Sequence, residues 1–331
     1  MRTIDLVIAG AAVFATSLAL TALARRYALS RQLLDAPGER RSHSVPTPRG
    51  GGVAIVAAML PVLGWLAWQD DSQRAMAIAS AVGLVLVAGI GWIDDHRPLS
   101  PWRRLAVHVV AALVLAAGMA VSGQPLWWCA AVFVLGVGLV NVWNFMDGID
   151  GIATSQAMLV GIAALIVVPE RLLLVAIVAA CAGFLPYNAP RARIFLGDVG
   201  SGGLGFLIAC LFAWVPVSAA PAPALLLLLT LSAFMVDAAL TLLSRILRGE
   251  RWWTAHVQHL YQRLVQRGIP HSSVTFGYAV WTFASLCLLV ALEVSRMPAI
   301  IGALASWYLL TVATWFLIRH RLQPRGVRHH G

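Results

Sequence analysis

The stretch "CAAVFVLGVGLVNVWNFMDGIDG", residues 129–151, starts as apolar sequence and ends with two asparagines and two aspartates. Asn141, Asn144, Asp147 and Asp150 recur every third residue. Steps of three turn successive side chains about 60° backwards around a helix. Asn141, Asn144 and Asp147 therefore share a face, and Asp150 drifts off it. Gly148 and Gly151 predict a break in the helix that returns Asp150 to the cluster. Capping of a loop between two spans is the plain alternative, but four such side chains so close together exceed what a cap uses.

The apolar half of this stretch is typical of the whole chain. Of 331 residues, 60% are hydrophobic and 11% charged, whereas a soluble domain is about half apolar and about a quarter charged. The chain reads as an all-α polytopic membrane protein, one integral membrane domain over residues 1–331. Eleven apolar segments stand near 4–24, 52–68, 75–93, 105–121, 125–140, 152–168, 172–187, 203–215, 222–243, 275–294 and 298–318. Several fall short of the roughly 20 residues that cross about 30 Å of hydrocarbon, so the expectation is 10 to 11 transmembrane helices with soft boundaries at 121–125 and 168–172. The N-terminal "MRTIDLVIAGAAVFATSLALTALARR" lacks a small-residue cleavage site and reads as a retained first span. Cys129, Cys181, Cys210 and Cys287 each sit alone in apolar sequence, which supports neither a disulfide framework nor a zinc site.

Every basic side chain except histidine is arginine. A net charge of +10 could suit nucleic acid, but the distribution points to membrane topology, and no nucleic-acid partner is expected. Segments 25–51, 92–104, 188–202, 243–274 and 319–331 hold all the arginines except Arg2, Arg74, Arg171 and Arg296. By the positive-inside rule these segments are cytoplasmic, with the N-terminus periplasmic and the C-terminus in the cytosol. The turn 141–151 then lies on the cytoplasmic side too. The tail "RHRLQPRGVRHHG" would rest on anionic lipid headgroups.

The same assignment gathers the acids at cytoplasmic mouths. Asp94 and Asp95, in "GWIDDHRPLS", end the third span, where the helix dipole disfavours carboxylates by roughly 0.3–1 kcal/mol each. Pairing with Arg97, Arg103 or Arg104 would explain them as an interfacial turn, while a role with a cation or a phosphate explains why two adjacent acids stand there. In "FLGDVGSGGLGF" (195–206), Asp198 and Ser201 precede a span as caps, and the glycines suit close backbone approach to a phosphate. Asp237 lies about two turns inside the ninth span, either functional or paired with Arg245 or another span. In "SRILRGERWWTAHVQHLYQRLVQRG", His256, His259 and Arg263 stand at near-helical spacing and suit an anion. No carboxylate lies near enough in sequence to make the histidines a metal pair, and Trp252 with Trp253 reads as an interfacial aromatic pair.

Hard oxygen ligands, few in number and on one face, suit Mg2+, which keeps several waters and takes one or two carboxylates plus substrate phosphates; Mn2+ could stand in its place. Arginines and histidines around the ion would hold phosphates, and apolar spans around a polar site suggest a lipid as the second substrate. Phosphoryl transfer between a nucleotide and a lipid phosphate fits, because its catalysis is mostly positioning and charge neutralisation.

The motifs "DD" at 94–95, "NVWNFMDGIDGIA" at 141–153, "FLGDVGSGGLGF" at 195–206 and "HVQHLYQRL" at 256–264 occur in the order found in the polyprenyl-phosphate N-acetylhexosamine-1-phosphate transferases (glycosyltransferase family 4). "HSVPTPRGGG" at 43–52 resembles their first cytoplasmic loop. The resemblance covers roughly residues 40 to 265. It implies transfer of an N-acetylhexosamine-1-phosphate from a UDP-N-acetylhexosamine to undecaprenyl phosphate with release of UMP, in a bacterial inner membrane with the active site facing the cytoplasm. By the match, Asn144 and Asp198 would hold the metal, and Asp94 and Asp95 would orient or deprotonate the lipid phosphate. Asn188 and Phe195 resemble uracil-pocket positions, with Asp147 and Asp150 near the nucleotide. His256, His259 and Arg263 would contact the diphosphate or sugar, and Arg104 is a further carry-over. A homodimer is the assembly the resemblance suggests.

The muramyl-pentapeptide members carry three consecutive histidines in the late loop, whereas "HVQH" followed by "LYQRL" looks more like the branch that initiates O-antigen or related surface polysaccharides. A phosphate monoester ionises for the second time near pKa 6, so the nucleophile scarcely needs a base. Two rivals remain. A polytopic transporter or flippase would line a path near the bilayer midplane, yet nearly all acids here gather at one face, Asp237 and Glu293 excepted. A CDP-alcohol phosphotransferase lacks support, since "DGIDGIA" continues as "TSQAML".

Overall fold

The computed structural model describes residues 2–35, 45–218, 220–251, 253–254 and 256–322. His43 and Ser44 of the first-loop motif, Trp252 and the tail beyond Leu322 lie outside them. The eleven apolar segments become α1 (Thr3–Ser30), α2 (Val53–Gln69), α3 (Arg74–His96), α4 (Pro101–Val121), α5 (Leu126–Met146), α6 (Ile152–Val167), α7 (Arg171–Asn188), α8 (Gly197–Ala213), α9 (Ala222–Leu247), α11 (His271–Leu292) and α12 (Met297–Arg321). Between α9 and α11 stands a helix the hydropathy did not predict, α10 (Leu260–Gln266). Two strands, β1 (Leu34–Asp35) and β2 (Thr47–Pro48), pair antiparallel.

Eight of these helices are long and apolar enough to cross a bilayer, and α2, α6 and α8 are shorter. The chain is a multi-pass, all-α membrane protein. Its long helices leave large apolar side chains in the open, among them Ile4, Val7, Val85, Phe276 and Leu309. A soluble monomer rarely leaves so much continuous apolar surface open.

The 17 residues of α8 span only about 26 Å. Every residue from Val199 to Ala213 is buried, so α8 needs no lipid-facing stripe. Its glycines explain the enclosure. A Cβ at Gly205 would lie 2.7 Å from the Cα of Val140 in α5, and one at Gly203 would lie 3.1 Å from Val56 in α2. In place of the expected phosphate loop, most of the glycine run is a helix face that lets neighbouring backbones approach. The helix also begins earlier than the expected 203: its N-cap is Leu196, and Asp198 is already in its first turn.

Candidate active site

The break after the opening stretch forms where the glycines predict it. α5 stops at Met146, and α6 starts after Gly151, which adopts φ +71°. At this end of the bundle the ends of α3, α5 and α7 meet the starts of α4, α6 and α8. Among them the ends of α3, α5 and α7 and the start of α8 border a cavity of about 260 Å3 lined by Asp95, Asn144, Asp147, Asn188, Phe195 and Asp198, with Arg49 and Gln262 at its walls.

Asp95 is only 3% exposed and touches a helix more than a hundred residues away. Its Oδ1 accepts from the backbone N–H of Asp198 at 3.1 Å, and its Oδ2 accepts from that of Val199 at 3.2 Å. The carboxylate sits against the positive end of the α8 dipole and satisfies two N–H groups of the first turn. The electrostatic penalty expected from the α3 terminus is thereby offset. Gly197, at φ +73°, allows this approach, since a Cβ there would run into both Asp95 and the backbone of Gly50.

Arg104, in the first turn of α4, donates through Nη1 to Asp94 Oδ2 at 3.0 Å and also to Asp198. Asp94 Oδ1 also accepts from the Leu99 N–H. One guanidinium thus holds two half-buried carboxylates from different helices. Asn144 donates to Ser201 Oγ at 3.1 Å, fastening the end of α5 to α8 one turn beyond Asp198. Asp147 follows α5 directly and has no hydrogen-bond donor among the described residues. Burial and the negative charges of Asp198 and Asp95 push its carboxyl up to about 8.

The first-loop motif enters the site through its backbone. Gly51 N–H donates to Phe195 O at 2.9 Å, Gly52 N–H to Leu196 O at 2.8 Å, and Phe195 N–H to Pro48 O at 2.8 Å. This ladder carries Arg49 to the cavity wall, where it donates to the backbone carbonyl of Asp95. Nothing in the local pattern of "HSVPTPRGGG" marks Arg49 as a cavity residue. Asn188 is fixed by accepting from Thr154 Oγ1 at 3.0 Å and donating to Ile194 O at 3.3 Å.

Two expectations need correction, and a third is decided between its alternatives. Asp150 does not line the cavity; its carboxylate lies 3.5 Å from His271 Nδ1 at the start of α11, and its carbonyl accepts from Thr275. Of the readings left open for Asp237, the structure shows pairing with other spans, and among the described residues no arginine bonds to it. Its carboxylate accepts from Leu260 N–H at 2.8 Å, Trp315 Nε1 at 3.0 Å, Tyr278 OH at 2.8 Å and Thr241 Oγ1 at 3.2 Å. It is an anchor for the start of α10, which removes the main intramembrane acid from the transporter argument.

The second correction concerns the late loop. His256 precedes α10 and His259 is its N-cap, so no helix face carries both with Arg263. Their rings instead lie 4.9 Å apart. Burial, the charge of His259 and that of Arg245 lower the His256 imidazole to about 4, and burial lowers His259. Both are neutral at pH 7, which suits hydrogen bonding better than the anion binding expected of imidazolium. Neither lines the cavity, nor does Arg263; Gln262 is the side chain that α10 contributes. The helix is docked by Tyr261, whose hydroxyl donates to Phe145 O at 3.0 Å.

All the donors of this cavity are hard oxygens, carboxylates and amides. Among the described residues no group of three acidic, histidine or cysteine side chains forms a closed metal cage. Mg2+ asks for less, one or two carboxylates with water and phosphate oxygens, and Asp198 with Asn144 fits that demand.

Residues 76–215 match the sequence model of glycosyl transferase family 4. The chain is 30% identical over 290 residues to a decaprenyl-phosphate N-acetylglucosaminephosphotransferase of Mycobacterium leprae, covering 74% of this chain and 73% of that protein. It is 27% identical to a probable undecaprenyl-phosphate N-acetylglucosaminyl 1-phosphate transferase of Bacillus subtilis, over 87% of this chain and 86% of that one. A phospho-N-acetylmuramoyl-pentapeptide-transferase of a Synechococcus species is 34% identical over 190 residues, 49% of this chain and 54% of its own. With its acidic motifs drawn to one end of a helical membrane bundle, and with relatives matching along most of its length, the chain belongs to the polyprenyl-phosphate N-acetylhexosamine-1-phosphate transferase superfamily, glycosyl transferase family 4.

Proposed function

We propose that the protein transfers an N-acetylhexosamine-1-phosphate from a UDP-sugar to undecaprenyl phosphate, releasing UMP, at a site facing the cytoplasm of the inner membrane. The observation that carries this reading is the convergence of Asp95, Asn144, Asp147 and Asp198 on one cavity at the arginine-rich end of the bundle. Asn144 and Asp198 would hold Mg2+, which supplies charge neutralisation between the donor diphosphate and the acceptor phosphate.

The remaining steps belong to the chain's own groups. Asp95 fixes the first turn of α8 and therefore the direction of Asp198. Arg104 keeps Asp94 and Asp198 at a set separation while contributing positive charge beside an anionic reaction. Arg49 brings a second guanidinium to the wall for a phosphate oxygen. Asn188 has one amide hydrogen and one lone pair left after its two internal bonds, enough to read a uracil edge, with Phe195 offering a face for the base. The neutral His256, half-buried beside the cavity rather than lining it, suits a hydrogen bond to a donor group that extends past α10, while the buried His259 caps that helix. Asp94 is bonded to Leu99 and Arg104, so it orients the site more readily than it accepts a proton.

The spacing of "HVQHLYQRL" supports the branch that initiates O-antigen or related surface polysaccharides, and the names of the Mycobacterium and Bacillus relatives support N-acetylglucosamine as the first sugar to try. The test uses the purified chain with Mg2+, undecaprenyl phosphate and a panel of UDP-N-acetylhexosamines. UMP release with one or two of them, abolished by EDTA and by Asp198→Ala, is the expected result. Release without undecaprenyl phosphate, or undiminished by Asp198→Ala, would overturn the assignment.

A further inference from the structure

α10 separates the acidic cavity from a basic one. Adjacent residues on a helix point about 100° apart, so Gln262 faces the acids while Arg263 faces a second cavity of about 390 Å3. Arg248 at the end of α9, Arg263 and Arg267 line it, together with Gln258, Gln266 and Leu322 at the end of α12. Arg319, one turn before Leu322, adds its charge to the field felt by Arg248 and Arg263. The nearby acid, Glu250, is shared by Arg245 at 2.9 Å and Arg248 at 3.1 Å and accepts from Gln258. Arg263 donates through Nε to Gln258 O at 3.1 Å, which leaves its two Nη groups without an acceptor among the described residues. Glu250 neutralises Arg245 and Arg248 in part, whereas Arg263, Arg267 and Arg319 have no carboxylate in salt-bridge reach among the described residues, so a further anion would relieve their mutual repulsion.

Beside the basic cavity, along α9 and α12, lies an apolar furrow. Leu240, Leu243 and Leu247 of α9 face Phe316 of α12 across a space of about 370 Å3. Leu247 is 77% and Phe316 56% exposed. Ser244 of the furrow ties the two spaces together: its carbonyl accepts from Arg248, which lines the basic cavity, and its hydroxyl accepts from Arg319, which lines the furrow.

We propose that this seam of α9, α10 and α12 binds one anionic membrane phospholipid, its phosphate among Arg248, Arg263 and Arg267 and an acyl chain in the furrow. The head would lie on the far side of α10 from Asp95, Asp147 and Asp198, so it is not the reacting lipid. The bound phospholipid braces the short helix that carries Gln262 and is capped by His259. Neither the donor nor the acceptor of the reaction is needed for this binding.

The test is native mass spectrometry of the full chain released from nanodiscs of phosphatidylcholine carrying a minor fraction of phosphatidylglycerol, paired with thermal melting. One phosphatidylglycerol retained per chain, and a higher melting temperature than in phosphatidylcholine alone, are expected. Replacing two arginines by Arg248→Gln with Arg267→Gln weakens retention about 30-fold. Leu247→Trp, which fills the furrow and leaves every arginine in place, also lowers retention and guards against a charge variant that merely misfolds. Inorganic phosphate and glycerol phosphate give no melting shift, because they lack the chain. Equal retention of phosphatidylcholine, unchanged retention in both variants, a matching shift with inorganic phosphate, or displacement of phosphatidylglycerol by undecaprenyl phosphate at equal concentration would each overturn the proposal.

Discussion

On the proposed assignment of Mg2+ to Asn144 and Asp198, the carboxyl of Asp147 makes metal affinity depend on pH in a calculable way. With no donor of its own and two carboxylates nearby, it holds a proton up to about pH 8. A divalent ion at Asp198 and Asn144 competes with that proton for the same negative field. If the competition is complete, apparent Mg2+ affinity is weaker than its high-pH limit by about tenfold at pH 7, about twofold at pH 8 and scarcely at pH 9. His256 and His259 titrate below this window and leave it clear. The sign for folding is opposite. The unfolded carboxyl loses its proton near 3.8 and the folded one near 8, so this group's contribution to metal-free stability falls as pH rises between those values, and above pH 7 the two histidines no longer oppose it. Saturating Mg2+ should flatten or reverse that fall. The assay is titration calorimetry with Mg2+ at pH 7, 8 and 9 in two buffers of different ionisation enthalpy, which also counts the protons released. Asp147→Asn should bind more weakly at pH 9 and show no slope. A wild-type affinity that is flat across the window, or a slope that survives in Asp147→Asn, would refute the reasoning.

Three further outcomes follow from contacts already described. Arg104→Gln removes the cation between Asp94 and Asp198, so Mg2+ should bind more tightly while kcat falls about 100-fold; weaker Mg2+ binding in this variant would contradict the fork. Asp237→Asn places an amide against donors that need an acceptor, a change costing about 3 kcal/mol. Hydrogen exchange over residues 256–266 should then quicken about 100-fold, with exchange in α8 unchanged. Gly205→Ala pushes a methyl into the backbone of Leu139 and Val140 and should destabilise the fold by about 2 kcal/mol in thermal melting, whereas Gly64→Ala, with nothing within 4 Å, should be neutral.

Hydropathy made the spans legible because each helix must present enough apolar length or be enclosed. The acidic mouths were legible for a related reason: Asp94, Asp147 and Asp198 interrupt that pattern at matching phases of the topology. Long-range partnership was not. Asp95 caps a helix 103 positions away, and no local spacing announces it. The start of α8 was misplaced because glycine lowers hydropathy while the enclosing helices favour it. α10, seven residues long, is too short to carry a periodic signal, and its existence depends on Asp237 and Tyr261 contacts that only the folded chain supplies. Arg49 was visible as part of "PTPRGGG", but its position in the cavity follows from backbone pairing with Phe195 and Leu196.

The enclosure of α8 also bears on how the enzyme meets membranes of different thickness. The outer helices must tilt or stretch the surrounding lipid when their apolar length and the bilayer disagree. α8 touches protein along almost its whole length, so that mismatch is absorbed at the periphery and the turn bearing Asp198 keeps its place. Turnover should therefore vary little between short-chain and long-chain bilayers.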